Sequence, residues 1–281
     1  MRRRKKKISV FSVVNGIIFI ALCLIIIIPM WKVLVDSFDL KTAYGMKLWP
    51  EQFGLAGYKL VFSNPTLYRP LLISVITTVS GTLIALTLST LGAYVLIQWD
   101  MPGRTFFANM LLFTMIFSGG MIPTYLVLKS LHLTNTLWVV ILFPALNVYN
   151  LVLMRNFFEG IPASLFESAT LDGCSPMQTF LRIVLPMSKA ALASIGLMFA
   201  VTYWNDYTHY KLYITNSDLY NFQMKLRGMI QGSDLPTMSG GITENTIKNA
   251  AIIVVIVPFM ILYPFLQKYF VKGVNIGAVK E

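Results

Sequence analysis

Six long apolar stretches divide the chain, at about 10–33, 70–97, 105–128, 136–156, 183–204 and 248–268. Each reaches the roughly 20 residues that a helix needs to cross a bilayer. The pattern predicts an all-α, polytopic membrane protein with six transmembrane helices and both termini on one side. Its organisation reads as a basic tail at 1–9, a membrane domain at 10–269 and a second tail at 270–281, with a long polar connection at about 158–186. Pro29, Gly81, Gly119-Gly120, Pro123, Pro144, Pro258 and Pro264 punctuate the spans. Such residues are tolerated in lipid where neighbours satisfy the freed backbone groups. Packing contact and hinge are both open readings, and Gly119-Gly120-x-x-Pro123 is the best hinge candidate. No internal repeat or low-complexity tract interrupts the pattern.

Composition agrees with the membrane reading. Hydrophobic residues make up 56% and charged residues 12% of 281 positions, where a soluble domain carries about 25% charged residues. The net charge of +11 raises the question of nucleic acid, but Arg2-Arg-Arg-Lys-Lys-Lys7 concentrates six positive charges directly before the first apolar run. That placement fits an inside anchor that also meets anionic lipid, and no nucleic-acid role is expected. The run from Ile8 to Met30 exceeds the roughly 7–15 residues of a signal-peptide core, and no small-x-small site follows it. It is expected to stay as the first membrane helix.

Orientation follows from lysine and arginine. With the N-terminus inside, the inner segments hold 13 of the 23 basic residues, and the other 10 are spread over much longer outer loops. This bias predicts cytoplasmic N- and C-termini. It also places the connection between the fourth and fifth helices in the cytoplasm. Two long segments, about Val35 to Arg69 and Asn205 to Lys248, then fall outside. The second carries Tyr207, Tyr210, Tyr213, Tyr220, Gly240-Gly241 and several acids, which suggests a partner surface rather than plain disorder.

Several chemistries lack their residues. The chain has no GxxxxGK[ST] loop for cradling phosphates. Cys23 and Cys174 are placed too far apart in role for a disulfide framework or a cysteine metal site. His132 and His209 have no accompanying ligand spacing, so structural or surface roles are expected, with no metal site. No nucleophile elbow or carboxylate pair is evident, so catalytic residues are not expected in this chain. The spans near 70–97, 105–128 and 250–267 are almost free of charge, whereas an ion-coupled carrier keeps ionisable groups near the midplane. Such a carrier remains the alternative reading.

The inner connection is the most informative segment. Glu167 and Ala169 are expected to share a helical face with Leu165 and Phe166 nearby, Asp172-Gly173 makes a turn suited to positive φ, and Ser175-Pro176-Met177-Gln178 forms a capping box with Pro at the first helical position. The outcome is two short helices joined at a hinge, exposing a small apolar knob that fits a soluble partner. Alone, Glu167 reads better as a solvated helix residue or as a helix N-terminal charge favoured by the dipole. A second polar cluster, Tyr203-Trp204-Asn205-Asp206-Tyr207, ends the fifth span. Trp and Tyr collect at membrane interfaces whatever the function, and rings with amides and a carboxylate also suit a sugar. Both readings stay open from the residues.

The spacing Glu167, Ala169, Asp172-Gly173, Phe180, Ile183, Leu185-Pro186 resembles the EAA loop of ABC-type import permeases. Ser168 stands where that family usually has Ala, and Cys174 where it has another small residue. The chain end, Tyr263-Pro-Phe-Leu-Gln-Lys-Tyr-Phe-Val-Lys-Gly-Val-Asn-Ile-Gly-Ala-Val-Lys280, resembles the carbohydrate-importing branch, and within it the oligosaccharide and polysaccharide permeases. The resemblance spans the chain from the first helix to the C-terminus. It implies a sugar-importing permease subunit in a bacterial plasma membrane, paired with a second permease. Two ATPase subunits would bind ATP and Mg, and an extracytoplasmic solute-binding protein would deliver solute. Glu167, Ser168, Ala169, Asp172, Gly173, Phe180, Leu185 and Pro186 would couple to the ATPase. Trp204 and Asn205, with Asp206 and Tyr207, would lie along the solute path.

Overall fold

The computed structural model describes residues 10–40, 45, 47–98, 100–232 and 243–278. The basic run Arg2 to Lys7, Gly240-Gly241 and all side chains of Tyr263–Lys280 except Pro264 lie outside what is described. The described residues are helical, with one isolated bridge between Asp39 and Phe53. In chain order the helices are α1 (Val10–Phe38), α2 (Ala56–Ser63), α3 (Pro65–Ile97), α4 (Arg104–Ile116), α5 (Met121–Ser130), α6 (Leu137–Leu142), α7 (Val148–Glu159) and α8 (Ala163–Leu171). They continue as α9 (Pro176–Thr179), α10 (Leu185–Met187), α11 (Lys189–Trp204), α12 (Thr208–Tyr213), α13 (Phe222–Ile230) and α14 (Glu244–Ala278).

Of the six predicted spans, the first two are single helices, α1 and α3, each long and apolar enough to cross a membrane. The next three are broken, and up to five spans result among the described residues if each bent pair is one. α4 and α5 meet at 118°, α6 with the turn Phe143–Ala145 meets α7 at 44°, and Pro176–Met187 meets α11 at 81°. The predicted stretches 105–128, 136–156 and 183–204 are therefore not uninterrupted helices. At the first break Gly120 takes φ +88°, a conformation that Gly adopts without steric cost. Pro123 then falls in the first turn of α5, where no helical partner for its nitrogen is needed. Pro144 lies in the second break. In the third, the apolar residues 183–187 lie before the bend, and the fifth apolar helix begins only at Lys189. Pro29, Pro258 and Pro264 sit inside α1 and α14. The sixth predicted stretch lies within α14.

The described residues fall into two compact units, one within Met1–Pro65 with Gly228–Val257, the other within Thr66–Arg227 with Pro258–Glu281. In the first, Asp39 is an organising carboxylate. It accepts from the backbone N–H groups of Glu51 at 3.1 Å and Gln52 at 3.2 Å. The Phe38 ring stacks on Phe53 and tilts against Tyr58, whose hydroxyl meets Ser37 Oγ at 2.7 Å. Thr246 on α14 donates to the Asp39 carbonyl at 2.5 Å, and Gly57 on α2 leaves 3.1 Å between a built Cβ and Ala250. Much of the predicted outer segment Val35 to Arg69 is thus folded packing. α1 itself exposes its apolar side chains along most of its length, Ile17 at 62% and Ile25 at 69%.

The second unit is built around α3. Ser74, Thr77, Gly81, Ala85 and Ser89 recur on its buried face at spacings of three and four, small residues that let helix backbones approach closely. Gly81 is such a contact: a Cβ there would lie 2.5 Å from the Tyr203 ring. That ring is fixed in turn, because Tyr203 donates its hydroxyl hydrogen to the Ile141 carbonyl at 2.6 Å. One core joins Ala85, Tyr94, Met154, Phe158, Phe180, Val184, Ile195, Phe199 and Tyr203. A second joins Val139, Val140, Tyr210, Tyr213, Ile214 and Met224.

Candidate functional site

The connection at about 158–186 forms an exposed protrusion on a buried base. α8 turns Ala169 inward, 4% exposed, and leaves Glu167 exposed, so the two do not share a face, being two apart on a helix; Phe166 packs against the core that contains Phe158 and Phe180. Glu167, Ser168, Asp172 and Gly173 are exposed, and Leu171 at the tip is 88% exposed. The helix ends in a paired bond pattern: Cys174 N–H reaches the Ala169 carbonyl at 2.9 Å and Gly173 N–H reaches Thr170 at 3.0 Å. Gly173 sits at φ +74°. This is a Schellman ending, which satisfies helix-end carbonyls through a left-handed residue.

The capping box forms as expected. Gln178 N–H donates to Ser175 Oγ at 3.3 Å, and Ser175 N–H donates to Gln178 Oε1 at 2.8 Å. Beyond α9 the chain makes a π turn over Phe180–Val184. Phe180 is 4% and Val184 0% exposed, Leu185 packs against the same core, and Pro186 is exposed.

Tyr94, near the end of α3, clamps this element twice. Its hydroxyl donates to the Pro176 carbonyl at 2.8 Å, and its ring lies 4.9 Å from that of Phe180. Sequence reasoning missed Tyr94, since an aromatic near a span end reads as belt. Just before the protrusion, Glu159 accepts from Arg155 at 2.8 Å and lies 3.6 Å from Arg104. Arg104 also donates to the Leu96 carbonyl at 2.7 Å. These contacts tie the start of α4 to the ends of α3 and α7.

At the other end of α11 the predicted polar cluster divides in two. Trp204, 5% exposed, and Asp206, 8% exposed, are packed inside. Asp206 accepts from the His209 backbone N–H at 3.1 Å and faces His209 Nδ1 at 3.0 Å. Asn205 is exposed and Tyr207 half-buried. Asn205 Nδ2 donates to the Val201 carbonyl at 3.0 Å, and its Oδ1 accepts from Gln223 Nε2 at 3.3 Å. The Arg227 guanidinium lies over the Tyr207 ring at 4.1 Å. Gln223 and Arg227, four apart on α13, were not singled out from sequence; their spacing on one helical face was the available signal.

α13 is pinned where it begins. Asn221 caps it by accepting from Met224 N–H at 3.0 Å and donates to the Asp206 carbonyl at 2.5 Å. Phe222 N–H donates to Ser74 Oγ on α3 at 2.9 Å. Tyr210 and Tyr213, expected to serve a partner surface, are 1% and 4% exposed. Their aromatic bulk fills a core instead. Burial pushes the Tyr210 phenol above its ordinary range, its hydrogen bond with Thr77 opposes this, and the Asp206 charge adds to it.

Residues 2–276 match the family described as binding-protein-dependent transport system inner membrane component. The chain belongs to that family. This transport-family member is 43% identical over 268 residues to the polygalacturonan/rhamnogalacturonan transport system permease protein YtcP of Bacillus subtilis, covering 92% of this chain and 93% of that protein. It is 41% identical over 280 residues to Protein LplC of Bacillus subtilis, covering 96% and 95%. Among solved structures it is similar to a chain of a bacterial ABC transporter involved in the import of the acidic polysaccharide alginate. There the TM-score is 0.87 and the identity 27%, over 96% of this chain and 100% of that one.

Proposed function

We propose that this chain is the transmembrane permease subunit of an ATP-driven, solute-binding-protein-dependent sugar importer in a bacterial plasma membrane. It contributes half of the translocation path, with six spans and both termini in the cytoplasm. A second permease completes the path, two ATPase subunits supply ATP and Mg, and an extracytoplasmic binding protein delivers an oligosaccharide or polysaccharide-derived solute. Hydrolysis takes place in the ATPases, and this chain is not itself an enzyme.

The observation that carries the reading is the protrusion at Glu167–Pro186. Its tip is exposed apolar surface at Leu171, and its base is locked into the core through Ala169, Phe180 and Tyr94. A surface exposed at one end and rigid at the other can receive a push from a soluble partner and pass it on. Partner binding must differ between inward- and outward-facing states for that push to move an equilibrium. Trp204, Asn205, Asp206 and Tyr207 serve the solute path, the exposed pair by contact and the buried pair by holding the surface in place.

The test is affinity purification of the tagged chain from its native membranes in mild detergent, with identification of the chains that follow it. A second hydrophobic permease and an ATP-binding subunit are expected. Recovery of the chain alone or as a homodimer would overturn the reading and favour an ion-coupled secondary carrier, whose uptake an ionophore would abolish and ATP depletion would spare.

A further inference from the structure

We infer that Arg227, with Asn205, Gln223 and Tyr207, forms a saccharide subsite selective for anionic sugars, in which the guanidinium takes a uronate carboxylate. This assignment rests on the importer reading above and names the substrate class for the same surface.

The structure changes the sign of the charge that sequence alone places here. Read along the chain, the ionic group of Trp204-Asn205-Asp206-Tyr207 is Asp206. In the fold its side chain is 6% exposed and engaged with His209, so it is turned away from the surface. The exposed charge beside Asn205 and Tyr207 is Arg227. Lys211 on α12 is exposed as well, and Asp218 is the other acid between 205 and 232. Asp218 sits in the turn Ser217–Leu219, where its N–H bonds to Asn216 Oδ1.

The four side chains are also organised. Gln223 and Arg227 reach down one face of α13 to Asn205 and Tyr207 respectively, and Asn221 fixes that helix to the end of α11. A guanidinium lying over an aromatic ring keeps its N–H donors at its edges, which suits bidentate capture of a carboxylate. The amides of Asn205 and Gln223 each carry donors and an acceptor, the combination that sugar hydroxyls need.

The experiment uses the assembled importer in proteoliposomes with its binding protein, and compares trigalacturonate with its neutral methyl ester. Wild type is expected to import the acid in preference to the ester. Arg227→Gln is expected to reduce that preference by about ten- to a hundredfold, the range for a lost hydrogen bond to a charged group. Arg227→Lys, which keeps the charge but loses the planar fork, falls between the two. Equal loss of acid and ester uptake would assign Arg227 to binding-protein docking or folding and overturn the subsite. An unchanged preference overturns it too, as does a wild type that imports the ester as readily as the acid. If wild type shows no ATP-dependent uptake of any saccharide, the importer reading itself has failed, a result distinct from these.

Discussion

Replacing Gly173 separates what the turn needs from what the partner needs. Its φ of +74° is left-handed, and nothing lies within 4 Å of a Cβ built there. An added methyl therefore meets no neighbour in the chain, and the cost of Gly173→Ala is backbone strain alone, about 1–2 kcal/mol. That lowers the population of the turned form by a factor of roughly 5–30. Gly173→Val costs more, because a β-branched side chain at positive φ is a steric outlier. Gly173→Asn costs less, since Asn enters this region more readily than other L residues. The strain is local to an exposed turn, so membrane insertion should survive all three. Uptake in cells, normalised to chain recovered from membranes, should fall partly with Ala and be abolished with Val. Asn should restore the turn yet leave uptake impaired, because under the proposed coupling role its side chain would stand between the turn and the ATPase. Normal uptake with Val would refute the proposed coupling role, and wild-type uptake with Asn would show that no partner packs against this turn while leaving the turn requirement in place.

Tyr94→Phe keeps the ring against Phe180 but removes the donor to the Pro176 carbonyl, a part-buried bond at an exposed residue, at a cost of about 0.5–1.5 kcal/mol. Solute carried per ATP hydrolysed should drop more than hydrolysis itself, and an unchanged ratio would show that the bond has no role in coupling. Gly81→Ala forces a Cβ to within 2.5 Å of a ring that is itself tethered to Ile141. Overpacking of this kind costs about 1–3 kcal/mol, so the melting temperature in detergent should fall. Adding Tyr203→Leu should recover part of the loss, whereas strict additivity would mean the two residues do not meet. Asn221→Ala removes the α13 cap and the donor to Asp206; a cap alone accounts for about 1 kcal/mol. A thermal melt should register the loss, and an unshifted melt would show that α13 is held elsewhere.

The helical class and the turn chemistry were legible because both depend on local rules. Gly173 and the Ser175–Gln178 box take the geometry their residue types favour, whatever the rest of the chain does. The continuity of the spans was not legible in the same way. Pro29 and Pro258 sit inside helices, while Gly120 and Pro144 mark breaks. Hydropathy does not distinguish these cases, because apolar residues continue across a break as readily as through a helix. The Gly119-Gly120 pair was the exception, since two adjacent glycines remove the steric preference for helical φ. The division of the outer cluster was likewise hidden. Trp204, Asp206, Tyr210 and Tyr213 are buried by packing against residues distant in sequence, as in the bond from Tyr210 to Thr77.

Tyr94 and the Ser74–Thr77 pair share α3, and that gives the two candidate surfaces a common element. Tyr94 binds the base of the inner protrusion, while Ser74 and Thr77 accept bonds from Phe222 and Tyr210 beside the outer cluster. The 17 to 20 positions between them span about 26–30 Å of helix, close to the roughly 30 Å of bilayer hydrocarbon. Between these points α3 runs as one helix from Pro65 to Ile97, whereas α4–α5, α6–α7 and the approach to α11 are each bent. A bent path can absorb a displacement at its break, but an unbroken helix carries it as a rigid body. Coupling between the two surfaces would be a free energy carried by this helix. The Tyr94→Phe measurement supplies that missing energy term, because it leaves both ends of α3 intact and loosens the joint through which a push would enter.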